Sequence, residues 1–157
     1  MNRPMFRPYR PEEESTVIAL MRALDAEGAG IRPIREEMPA RTFAYLRGSE
    51  DRGACVVAVD EAEQIVGYAL LFPFWSAEYG GLLLLLDELY VAPARRSQGL
   101  GAAFLAWIEA YAAARGHVAI SLVAMAHNER AIAFYDRAGY HRIAGVSFDK
   151  LLGPHGR

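Results

Sequence analysis

The segment GLLLLLDELYV, residues 81–91, constrains the fold most. It is apolar without alternation from Leu82 to Leu86 and stops at Pro93. A strand with one wet face alternates apolar and polar residues, so an unbroken run marks a central strand buried on both faces. The next segment, RRSQGLGAAF at residues 95–104, runs from two arginines through a glycine turn into an alanine-rich helix pattern. Leu100, Phe104, Trp107, Ile108 and Tyr111 share one face of that helix, expected over residues 99–115, and Gly116 suits its C-terminal stop.

Around this pair the other elements fall into place. MFRPYR reads as a short opening strand, and PEEESTVIALMRAL as a first helix. Pro11 suits its first position, Glu12 to Glu14 suit its positive end, and Val17, Leu20, Met21 and Leu24 form its apolar stripe. A weaker helix is expected at about residues 36–47. GACVVAVD and QIVGYALLFPFW flank DEAEQ and read as a hairpin. HVAISLVAM is a further strand, and NERAIAFYDRAG a short helix with Asn128 as its cap and Gly139 as its stop. YHRIAGVSFDK closes the chain as a last strand. The order β-α-α-β-β-β-α-β-α-β gives an α/β mixture with an antiparallel front half, in a single domain over residues 1–157.

Composition then excludes several functions. At 157 residues and 53% hydrophobic, the chain can bury a core without metals or disulfides. A net charge of −2 argues against a dedicated nucleic-acid binder. Cys55 is the single cysteine, so neither an internal disulfide nor a cysteine metal site is expected, and its neighbours suggest a buried strand. His117, His127 and His141 have no metal-ligand spacing. The opening MNRPMFRPYRPEEE has no apolar run that would suit a signal peptide, and the leucine run falls far short of the roughly 20 residues of a membrane span. A cytoplasmic protein is the expectation.

Arg96-Ser97-Gln98-Gly99-Leu100-Gly101 has the makings of a phosphate cradle. Glycines let the backbone approach an anion and adopt positive φ. The first helical N–H groups lack internal partners, and the helix dipole favours negative charge there. Arg95 and Arg96 can add charge-assisted bonds. The turn lacks the lysine of a P-loop and the third glycine of a dinucleotide fingerprint.

Three pieces in order carry a resemblance. They are the strand DELYVAP, the turn R-x-x-G-x-G at Arg96, Gly99 and Gly101, and the run N-x-x-A-x-x-F-Y-x-x-x-G at Asn128, Ala131, Phe134, Tyr135 and Gly139. Over about residues 53–149 the sequence resembles the GCN5-related N-acetyltransferases, closest to their diamine and polyamine sub-group. The resemblance implies a mixed six- to seven-stranded sheet, splayed in the middle and flanked by about four helices. It implies acetyl-CoA as co-substrate, no metal, and often a homodimer.

It also implies roles. The backbone of Leu89, Tyr90 and Val91 would pair with the pantetheine arm. Amides of Ser97, Gln98, Gly99, Leu100, Gly101 and Ala102 would hold the pyrophosphate, with Arg96 nearby. Asn128, Ala131 and Phe134 would line the opposite side of the cofactor. Tyr135 matches the tyrosine that protonates the departing thiolate.

The chemistry suits these residue types. An amine of pKa about 10.4 must lose a proton, at roughly 4.6 kcal/mol at pH 7, before it can attack a thioester. A carboxylate can accept that proton directly or through water. Asp87 and Glu88 are the candidates, and strand alternation would put them on opposite faces. The sub-group reads Glu-Asp where this chain reads Asp87-Glu88, and near its further acid this chain has Ser147, with Asp149 close by. Phe74, Trp75, Glu78 and Tyr79, or Glu36 and Glu37, are candidates for the acceptor pocket, while Phe74 and Trp75 also suit core or dimer contacts. The expected activity is acetyl transfer to a primary amine of a small molecule. Protein amino termini or lysines, and a non-catalytic acyl-CoA sensor, are the alternatives.

Overall fold

The computed structural model describes residues 4–152. Five strands form one sheet in the order β1 (Met5–Pro8), β2 (Ala54–Val59), β3 (Ile65–Ser76), β4 (Gly81–Val91), β5 (Ala119–Ser121). The first four run antiparallel, and β5 lies parallel to β4. Four helices pack on it: α1 (Glu14–Ala26), α2 (Met38–Leu46), α3 (Leu100–Ala114) and α4 (Glu129–Arg137). This is an α/β fold with a mixed sheet.

Alternation in the strands builds two cores. From β2, Val56 and Ala58 face α3, where they meet Leu100, Phe104, Ile108 and Ala112 at helical spacing. Cys55, Val57 and Val59 face the other way, onto Val17 and Met21 of α1 and Phe43 and Leu46 of α2. Each large side chain so buried contributes roughly 1.5–3 kcal/mol. Phe6 of β1 stacks on Phe104 with ring centroids 4.8 Å apart, which joins the first strand to the α3 core.

Local chemistry explains the joints. Pro11 opens a 3-10 turn, Pro11–Glu13, that leads into α1, and Glu13 accepts two hydrogen bonds from Arg7, at 2.6 and 2.9 Å. In the β2–β3 turn, Asp60 Oδ1 accepts from the backbone N–H groups of Ala62 and Gln64, and Glu63 takes φ 56. Asn128 Oδ1 accepts from the N–H of Ala131 at 3.1 Å, which caps α4 as its sequence suggests.

Two strand expectations fail. Five strands stand among the described residues instead of six to seven, and residues 141–152 adopt neither helix nor strand. Ile143, Val146 and Phe148 are exposed there. Ala144, Val146 and Phe148 do keep a period of two, but the segment pairs with no described strand, so its alternation has no ladder to join. The strand expected in HVAISLVAM shrinks to Ala119–Ser121, because β5 meets only Leu83 to Leu85 of β4. Beyond Leu85 the two strands part, so the sheet is splayed.

Candidate active site

The site begins at the turn after β4. Ser97 and Gly99 both take left-handed backbone, at φ 61 and 79. For serine that conformation costs about 1–2 kcal/mol, which Gly99 avoids by having no Cβ. Gly99 is the N-cap of α3, and no side chain caps the helix. The first N–H groups of α3 are therefore open to an anion.

Arg96 is fixed beside them. Its Nε donates to the carbonyl of Val91 at 2.6 Å, its guanidinium lies over the Tyr90 ring at 5.2 Å, and its Nη2 donates to Glu27 at 2.6 Å. Arg95 differs: it pairs with Asp60 at the β2–β3 turn and does not line the groove.

A groove of about 480 Å³ opens over this turn. Leu89, Tyr90 and Val91 of β4 form one wall. Arg96, Ser97, Gly99, Gly101 and Ala102 form the floor, and Asn128, Ala131, Phe134 and Tyr135 the far wall. A Cβ on Gly101 would touch the Phe134 ring at 3.6 Å, so glycine keeps this gap wide. Two expected residues turn away. Leu100 is buried in the α3 core, and the Gln98 side chain donates to the carbonyl of Ala94 at 3.0 Å. The expectation for both concerned their backbone amides, which these side-chain positions leave unaffected. Arg130 and Arg137 also line the groove, as do Leu24 and Glu27 at the end of α1. The two arginines follow helical spacing along α4 with Phe134, a signal legible in the sequence once that face is known to look into the groove.

A second cavity, of about 380 Å³, adjoins the first. Asp87 and Glu88 both line it, which overturns the expectation of opposite faces. The cause is a β-bulge. Leu70 of β3 pairs with Glu88 while Leu71 pairs with Leu86, leaving Asp87 as an extra residue. The parity of β4 switches there: Leu84 and Leu86 pack against the α3 core before the bulge, Leu89 and Val91 after it.

Glu88 accepts a 2.7 Å hydrogen bond from the Tyr68 hydroxyl. Burial pushes its carboxyl above the ordinary value, the Tyr68 bond pulls it back, and the charges of Asp87 and Asp25 add to the rise. Partial desolvation by the cavity walls also raises Asp87. Asp25 lines the opposite wall, with Oδ1 accepting from the N–H of Ile34 at 3.0 Å. Sequence reading missed Asp25, because only the closure of α1 over the splayed sheet brings it to β4.

Tyr135 lines both spaces, together with Leu24, Ala29, Leu89, Asn128 and Ala131. Its ring packs edge-on to Phe134, with centroids 5.1 Å apart. Burial pushes its phenol up to about 12, so it is protonated at neutral pH.

Other candidates lie elsewhere. Phe74, Trp75, Glu78 and Tyr79 are exposed at the far end of the β3–β4 hairpin, and Glu36 and Glu37 are exposed before α2; none lines either cavity. Phe74 and Trp75 are therefore not core. His117 Nδ1 lies 3.2 Å from the carbonyl of Ala112, and His127 Nε2 3.0 Å from that of Gly28. Asp149 is ion-paired with Arg32, at the rim of the second cavity. Among the described residues, no three acidic, histidine or cysteine side chains come close enough to hold one metal ion.

Comparison with known proteins agrees with this geometry. The family model described as "Acetyltransferase (GNAT) family" matches residues 18–140. The chain is 26% identical over 103 residues to the uncharacterized N-acetyltransferase YhfO of Bacillus subtilis (strain 168), covering 65% of this chain and 69% of that one. It is 25% identical over 146 residues to aminoglycoside N(6')-acetyltransferase type 1 of Klebsiella aerogenes, covering 91% and 93%. Among solved structures, the integron cassette protein HFX_CASS3 from the Cole Harbour Salt Marsh metagenome superposes with a TM-score of 0.78 at 27% identity, covering 95% of this chain and 91% of that one.

Proposed function

The chain belongs to the acetyltransferase (GNAT) family and is an acyltransferase, and on that premise we propose that it transfers acetyl from acetyl-CoA to a primary amine of a small molecule. The observation that carries the proposal is the position of Tyr135, where a phosphate-suited groove meets a carboxylate-lined cavity.

The thioester supplies an activated acetyl group: the amine nitrogen bonds to the carbonyl carbon, the carbon–sulfur bond breaks, and CoA leaves as a thiolate. The chain's own residues do the rest. The open N–H groups at the start of α3, with Arg96, Arg130 and Arg137, suit the phosphates. The backbone from Leu89 to Val91 lies beyond the pairing with β5 and suits an extended arm, with the Val91 carbonyl already held by Arg96 Nε. Asp87 or Glu88 takes the ammonium proton, directly or through water, and a raised carboxyl pKa improves the match to that task.

Tyr135 faces the leaving sulfur in this reading. Its phenol, at about 12, is a weaker acid than a thiol near 8.5, so its role is a hydrogen bond that stabilises the developing thiolate. Transfer is direct, within a ternary complex.

The aminoglycoside acetyltransferase relative supports a small, amine-bearing acceptor. The resemblance to the diamine and polyamine sub-group is supported by the acidic cavity alone. A homodimer belongs to the same reading. Its support is the exposed apolar surface of Phe74, Trp75 and Leu82 at one end of the sheet.

The test is thiol release from acetyl-CoA across polyamines, amino acids, aminoglycosides and short peptides. Release with one class of small amine supports the proposal. Release only with peptides moves the acceptor to proteins, and silence across the panel overturns acetyl transfer to these amines.

A further inference from the structure

We infer that Asp25 is a specificity-determining residue of the acceptor cavity, where its carboxylate holds a second ammonium on an acceptor that carries two or more amino groups. The inference rests on the acetyl-transfer reading above and adds a residue to it.

The cavity is charged unevenly. Three carboxylates line it, Asp25 from α1 and Asp87 and Glu88 from β4. Among the described residues that line it, Arg32 is the one lysine or arginine, and its guanidinium is held by Asp149. Partly desolvated carboxylates are stable when a cation compensates them, and the walls supply no free one. The acids stand on two walls, Asp25 on α1 and Asp87 and Glu88 on β4. That spacing suits an extended polycation better than a single charge.

The three acids are not equivalent. Asp87 and Glu88 lie on the bulge of β4, the strand whose Leu89 forms part of the junction with the cofactor groove. One of them is needed for the proton of the reacting ammonium. Asp25 lies across the cavity in the last turn of α1, where the helix's own carbonyl groups already make the surroundings negative. An ammonium is favoured there by both the helix terminus and the carboxylate. In the sub-group that the sequence resembles, a further acid comes from the last segment, where this chain has Ser147 with Asp149 close by. Asp149 does approach the rim, but Arg32 neutralises it, and the unpaired charge comes from α1.

A plain structural role for Asp25 also exists, since its Oδ1 accepts from the N–H of Ile34 and so ties down the loop after α1. Asp25→Asn separates the two roles. The amide oxygen can still accept that bond, and only the charge is lost.

The experiment compares kcat/KM for α,ω-diamines of graded length with alkylamines of matched length, in the native chain, D25N and D149N. The inference expects the best diamine to exceed its matched monoamine by roughly tenfold or more in the native chain, as for a partly buried ion pair. It expects D25N to bring the ratio to near one, mainly through a raised KM for the diamine, and D149N, which releases the Arg32 guanidinium at the rim, to lower it by less. A native ratio near one, a ratio that survives D25N, or one that collapses in D149N alone overturns the role of Asp25 and leaves acetyl transfer standing. Thiol release with neither amine overturns both readings.

Discussion

The Tyr68 hydroxyl, on a side chain with no exposed surface, donates a 2.7 Å hydrogen bond to Glu88 across the β3–β4 pair. The bond favours the charged carboxylate and opposes the effect of burial. Tyr68→Phe removes it and leaves the ring in place. If Glu88 is the base, the acidic limb of the kcat/KM profile moves to higher pH, so the loss is larger at pH 6 than at pH 8. If Asp87 is the base, the limb stays and only the rate changes. The pH profile of this one variant separates the two carboxylates.

Asp87 ties function to stability. Its carboxyl is raised by desolvation, so the folded chain binds that proton more tightly than the unfolded one. Stability then falls as pH rises from the unfolded pKa through the folded one, and the whole penalty stands above both. Asp87→Asn abolishes the titration. Because the Asp87 side chain keeps contact with solvent, the expected gain in Tm at neutral pH is no more than about 1 °C, shrinking as pH falls through the raised folded pKa and gone below about pH 4. Calorimetry across that range checks it, and the same variant loses activity if Asp87 accepts the proton.

Tyr135→Phe tests the thiolate role. It keeps the ring packing on Phe134 and removes only the hydroxyl. The expected outcome is a fall in kcat of roughly 10²-fold with CoA affinity within about twofold, as for loss of one hydrogen-bond donor to developing charge. Thiol release and titration calorimetry with CoA give the two numbers.

Glu27 competes with the co-substrate in this reading. Its carboxylate holds Arg96 in the groove where phosphates are proposed to lie. Glu27→Gln weakens that hold, and CoA affinity is expected to rise by roughly threefold at low salt, with the gain shrinking as salt screens the charges. Arg96→Gln moves affinity the opposite way. Binding titrations at two ionic strengths decide it.

The parts of this site that were legible in the sequence are those set by local chemistry. Gly99 marks a left-handed cap, Asn128 a capping side chain, and Leu100, Phe104 and Ile108 a buried stripe, and each does so from its neighbours alone. What was not legible depends on pairing across distance. The bulge that gathers Asp87 and Glu88 exists only in the register of β4 against β3. Asp25 reaches the cavity only because Val17 and Met21 dock α1 on the sheet. The last strand failed for the opposite reason: β propensity in residues 140–150 was real but had no ladder to join.

Cys55 gives the fold one more use. It is 2% exposed in the face of β2 that meets α1 and α2, and burial, helped by the charges of Glu88 and Glu13, pushes its thiol well above the ordinary range. A reagent that reads liberated CoA therefore meets no competing sulfur while the sheet is closed. When β2 parts from the helices, the same atom becomes reactive. The rate of its modification is a clock for that opening, carried by the native chain without any added label.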